Sequence, residues 1–178
     1  AKADWTASGA FQYTDRTYTQ SGFTGTTPMP VRKADVEVFD VNTMAVLASG
    51  ATDQSGSFSI VVPDAATRTV GVRVLASTTE TATLDFSVYD DFIGGDPVFT
   101  YTDSGVNVSS HGPTTNVNFG TMTMPASIGA VATTDWSSQV FNVLDLCILV
   151  ADWIASVDGS RPAVGMTVGW NPTRGRSG

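Results

Sequence analysis

PMPVRKADVEVFDVNTMAVLASGATDQSGSFSIVVP, residues 28–63, decides how the rest of the chain is read. Ala34-Asp35-Val36-Glu37-Val38 alternates apolar and acidic side chains, the period of two that gives a strand one dry and one wet face. Asn42-Thr43 supplies turn chemistry, and Ala45-Val46-Leu47-Ala48 returns. Asp53-Gln54-Ser55-Gly56 carries Asp first and Gly fourth, the preference of a type I turn. Ser57 to Val62 alternates again and puts Phe58, Ile60 and Val62 on one face. Pro63 ends that run because proline cannot donate to a ladder. The stretch therefore predicts three strands joined by two turns.

The same residues carry a resemblance. Pro30, Val31, Arg32, Ala34, Val36 and Val38 are followed by Thr52, Asp53, Gly56, Phe58, Ile60, Val62 and Pro63. This pattern resembles the transthyretin-like sandwiches of the carboxypeptidase regulatory-domain type. With its flanking strands it covers roughly residues 5 to 124. The resemblance implies a Greek-key β-sandwich of the kind used as an accessory module in secreted proteins, and it implies no particular activity.

Outward from this stretch the alternation continues. Trp5 to Tyr13 reads as a first strand, with Gly9, Phe11 and Tyr13 on one face. Thr14 to Thr27 reads as a long polar loop whose Tyr18 and Phe23 plug the open end of the sandwich. Arg68 to Ala76 turns Val70, Val72 and Val74 inward, and Thr83 to Tyr89 does the same with Leu84, Phe86 and Val88. Val98 to Thr102 and Val117 to Thr123 bring the count to seven or eight strands, that of an antiparallel two-sheet sandwich over residues 1–125. Val36, Val38, Phe58, Ile60, Val70, Val72, Val74, Leu84 and Phe86 are its expected core.

After Pro125 the pattern changes, and residues 126–178 form an appendage or the start of a second domain. A helix is predicted from Trp136 to Val157, capped by Asp135 or Ser137 and stopped by Gly159. Ser138, Asn142, Asp145, Asp152 and Ser156 make one narrow polar stripe, interrupted by Leu149. The rest is apolar, so the helix should be covered on more than one side. The three polar residues Asn142, Asp145 and Asp152 argue against membrane insertion. Val164 to Trp170 reads as a terminal strand free to join an open sheet edge. Phe141, Leu149, Trp153, Val164, Met166, Val168 and Trp170 are the candidate interface residues. Phe141 to Asp145, the helix and the strand ending at Trp170 also resemble the link region of secreted bacterial zinc-metallopeptidase-like proteins.

Composition narrows the chemistry. Hydrophobic residues at 42% suit a globular protein, while charged residues at only 15% suit an extracellular β protein. A net charge of −8 argues against nucleic acid and anionic membrane as partners. The chain starts at Ala1 without Met, as if an upstream segment had been removed. One Cys and one His cannot supply a typical zinc site. His111 beside Ser109 and Ser110 is a poor triad, and Cys147 reads as a small buried hydrophobe. Asp90, Asp91 and Asp96 are weak calcium candidates in a turn-rich loop. No other cofactor is expected, and no catalytic residue is assigned. The expected function is a non-catalytic extracellular module, a surface or fibre subunit contacting copies of itself. The alternatives are an accessory region of a secreted zinc-peptidase-like protein, or a carbohydrate-binding module using Trp5, Tyr13, Tyr18 or Phe23.

Overall fold

A computed structural model describes residues 4–63, 66–81, 84–89, 98, 100–102, 109–111, 115–125, 137–159 and 164–169. The described residues are mainly β, with one helix in the C-terminal part. Its strands are β1 (Trp5–Thr19), β2 (Gly22–Pro30), β3 (Asp35–Asp40), β4 (Val46–Ala51), β5 (Ser57–Val62) and β6 (Arg68–Leu75). They continue as β7 (Ser77–Thr81), β8 (Leu84–Tyr89), β9 (Thr100–Tyr101), β10 (Ser109–His111), β11 (Val117–Met124) and β12 (Val164–Gly169). The helix α1 (Ser137–Asp158) lies between β11 and β12.

Among the described residues the strands divide into three hydrogen-bonded sheets rather than two. The first is built on β1, whose early half pairs β5 and whose later half pairs β2, both antiparallel. Along its other edge β1 meets β11 in parallel. The second sheet runs β10-β6-β3-β4, with β9 on the far end of β6. The third runs β12-β8-β7, and β12 lies parallel to β8. Two pairings among the described strands, β1/β11 and β8/β12, are parallel, within the mostly antiparallel arrangement expected from the sequence.

One core lies among these sheets. Trp5, Ala7, Phe11 and Tyr13 of β1 are buried with Val36 and Val38 of β3, Phe58, Ile60 and Val62 of β5, and Val70, Val72 and Val74 of β6. Phe86 and Val88 of β8 join them. The alternation read in the sequence selects all of these except Trp5 and Ala7, which continue the same face of β1, and the side chain of Leu84 lies outside the described residues. Gly9 shares the inward face because a Cβ there would sit 2.9 Å from both the Phe58 ring and the Gly120 carbonyl oxygen. Phe58 fills that space and stacks on Phe11 at 5.5 Å between centroids.

The 53–56 turn has the predicted chemistry. Gly56 N–H donates to the Asp53 carbonyl at 3.1 Å, and Gly56 holds φ +78°. A side chain at Gly56 would meet the Phe11 carbonyl oxygen at 2.5 Å. In turn Phe11 N–H donates to Gly56 O, and Val31 N–H donates to Phe11 O. The turn, the middle of β1 and the start of the 31–34 corner are thus one unit.

The 14–27 segment corrects the sequence reading. It is not a loop, because β1 continues to Thr19 and returns as β2 from Gly22. Its residues are polar or exposed on both faces, which erases the alternation that marks a half-buried strand. Thr, Tyr and Phe nevertheless favour extended backbone. The hydroxyl of Thr24 also donates across the hairpin to the Thr17 carbonyl at 3.1 Å. Pro28 and Pro30 sit in this outer strand, where a missing donor does little harm.

Candidate interaction surface

Helix α1 begins where its predicted cap region lies and ends at Gly159, which takes φ +70° and donates to the Ala155 carbonyl at 2.9 Å. Its first turn is anchored by Ser138. That hydroxyl lies 2.9 Å from the Met124 carbonyl oxygen and 2.8 Å from that of Pro125, and accepts the Thr14 N–H at 3.1 Å. The helix packs on β1 and β8 through buried Val140, Phe141, Leu144, Ile148 and Ala151.

The polar stripe faces inward along this contact except at its end, where Ser156 is exposed. Asp145 accepts Arg32 Nε at 2.6 Å on one oxygen and the Tyr13 hydroxyl at 3.0 Å on the other. Asp152 lies 3.3 Å from Lys33 Nζ, two helical turns further on. Asn142 Nδ2 donates to Asp15 at 2.8 Å. The adjacent residues Arg32 and Lys33 serve both aspartates because Lys33 takes a left-handed φ of 51° at the corner before β3. Burial, then the charge of Asp145, push the Tyr13 phenol well above its ordinary pKa. The hydrogen bond to Asp145 holds the Arg32 guanidinium still more firmly protonated.

The outward face is apolar. Leu146, Leu149, Val150, Trp153 and Val157 are each between 51% and 70% exposed. By length and composition α1 is also long and apolar enough to cross a membrane. Between its outer face and the third sheet runs a shallow apolar groove of about 310 Å³, lined by Phe86, Leu146, Cys147, Val150, Ala151, Ile154 and Met166. Burial pushes the Cys147 thiol above its usual pKa, so this sulfur behaves as part of the apolar lining.

Of the candidate interface residues, Leu149, Trp153 and Met166 lie on this exposed side. Phe141 does not: at 2% exposure it belongs to the core, because it points toward the β sheets with Val140 and Leu144. Val168 is partly buried against the core. Val164 opens β12, whose parallel partner is β8, while its side chain and all of Trp170 lie outside the described residues. Leu146, Val150 and Val157 were not singled out in the sequence. The signal that could have found them is the pair of cations at Arg32-Lys33, which matches two aspartates seven residues apart and turns that stripe inward.

A second feature lies at the other end of α1. A polar cleft of about 290 Å³ separates the β1–β2 hairpin from the start of the helix, lined by Thr14, Asp15, Arg16, Tyr18, Gln139 and Asn142 among others. Gln139 Oε1 is buried without a hydrogen-bond partner. Tyr18 and Phe23 stand edge to face at 5.9 Å near this cleft, both more than half exposed, so they do not plug the core. Trp5 and Tyr13 are buried in the core and are not available to a sugar.

Among the described residues no three His, Cys, Asp or Glu side chains gather as a metal cluster. Asp90, Asp91 and Asp96 lie outside the described residues. His111, Ser109 and Ser110 form β10, paired with Val70 to Arg68.

No family model matches the chain, and no curated protein matches it. Solved structures similar at a distance include the following two. A 9R-lipoxygenase from Cyanothece PCC8801 shares 16% identity over 90% of this chain, with a TM-score of 0.42. This chain spans about a quarter (25%) of the length of that enzyme. The major plantain pollen allergen Pla l 1 shares 15% identity over 74% of this chain and 100% of its own, with a TM-score of 0.36. Likenesses this loose carry no argument about function.

Proposed function

We propose that this chain is a non-catalytic, extracellular module of transthyretin-like Greek-key type that acts through protein–protein contact with copies of itself. The first two sheets are its sandwich layers, and the third sheet and α1 are the contact-bearing addition. The observation that carries this reading is the orientation of α1. A helix whose ionised side chains all face water is an ordinary surface helix, whereas here Asp145 and Asp152 turn to the protein and five large apolar residues turn away. Exposed apolar patches of this kind mark interaction sites.

Sedimentation velocity of the intact chain beside Trp153→Asp tests the reading. The intact chain should associate with rising concentration, and the variant should stay monomeric with an unchanged melting temperature, since Trp153 is 66% exposed. An intact chain that stays monomeric at high concentration overturns it.

A second reading rests on the exposed Tyr18–Phe23 pair beside a polar cleft, an arrangement suited to stacking on a neutral saccharide. Titration with neutral oligosaccharides should then show binding that Tyr18→Ala and Phe23→Ala remove. Binding that survives both changes, or no binding at all, dismisses it.

A further inference from the structure

The apolar stripe on α1 has a pattern of its own. Leu146, Val150, Trp153 and Val157 are spaced four, three and four residues apart, the spacing of a seam that packs against another helix. Leu149 flanks the seam on one side, and Cys147 and Ile154 flank it on the other. None of these carries a charge, so two copies of a chain with net charge −8 bring this face together without opposing like charges across it. The exposed parts of the five helix side chains and Met166 amount to roughly 600–700 Å², close to the ~800 Å² per partner of a specific interface. A negatively charged bilayer is a poor alternative occupant, because α1 has no lysine or arginine to meet its head groups.

Resting on the self-association reading above, we infer that the occupant of this face is the α1 of a second copy, packed antiparallel about a twofold axis that passes between Val150 and Trp153. Side-chain size selects the direction. In an antiparallel pair Val150 opposes Trp153 of the other copy, and Leu146 opposes Val157, so each layer joins a larger residue to a smaller one. A parallel pair sets Trp153 against Trp153 and Val150 against Val150, which overfills one layer and leaves a gap in the next. The antiparallel direction also aligns the helix dipoles favourably. It brings the indole of the second copy over the groove lined by Val150, Cys147 and Met166. Such a contact uses the same patch on both partners and closes on itself. The product is a discrete pair, and growth beyond it requires another surface.

Cysteine cross-linking of the full chain tests this in a Cys147→Ser background, with Leu146→Cys and Val157→Cys prepared separately and then mixed. The expected result is a mixed disulfide between the two variants, little cross-linking of either alone, and a sedimentation mass of two chains. Trp153→Asp should weaken the pair roughly thirtyfold or more, as loss of a central anchor does. Efficient self-cross-linking of Leu146→Cys shows a parallel pair and overturns the antiparallel one. Association that Trp153→Asp abolishes, but without cross-links along α1, overturns the helix pair and leaves the self-association reading standing. A monomer overturns both, and so does a monomer that co-sediments with phosphatidylcholine vesicles through α1.

Discussion

Phe58 shows how much a single side chain holds in this protein. It is 4% exposed, stacks on Phe11, and occupies the space that Gly9 leaves open. Phe58→Ala should therefore cost about 3–5 kcal/mol, because neighbours fixed in two sheets cannot close the hole. Urea unfolding read by tryptophan fluorescence measures it, and a loss below ~1 kcal/mol would mean that the site collapses freely. Phe58 was legible in the sequence because it sits in an unbroken alternation bounded by a turn and a proline. Lys33 was not. Its left-handed backbone and its reach to Asp152 depend on a helix more than a hundred residues away, and no local pattern encodes that.

At the scale of elements, α1 is attached by a mixture of apolar packing and paired charge. The Tyr13–Asp145–Arg32 group is the most sensitive part, since one carboxylate serves two partners. The phenol of Tyr13 has a raised pKa in the folded chain, so the neutral form is favoured there. Its contribution is fully present below the ordinary tyrosine pKa of about 10 and is lost as pH rises beyond it. Melting temperature should fall above about pH 10 more steeply in the native chain than in Tyr13→Phe. Equal slopes would remove Tyr13 from the account. In the same assay at neutral pH, Asp145→Ala should cost about 2–3 kcal/mol by leaving Arg32 without its carboxylate in a mostly buried setting. The limits of the helix were legible from its apolar run and Gly159. Its orientation was not, because a polar stripe conventionally faces water and the compensating cations lie on another element. The β1–β2 hairpin escaped for the opposite reason: with both faces wet, it shows no period at all.

For the whole molecule, most strands were legible, but β2, β7 and β10 were not, and neither was the sheet partition. Period-two patterning says which residues face inward, but it does not say which strands are neighbours. The parallel placement of β11 beside β1, and of β12 beside β8, joins segments far apart in the chain, which no local pattern encodes. That placement has a consequence for assembly in time. Ala7 and Val117 are register partners, so one edge of β1 is completed by a strand more than a hundred residues later in the sequence. Loop-closure entropy for a contact of that separation must be met before any of its hydrogen bonds form, which makes this the slow kind of topology. Ser138 has the Met124 and Pro125 carbonyls near it in sequence, but its contact with Thr14 N–H spans the same long separation. The edge of β1 that β11 covers therefore stays unpaired until that long closure is made.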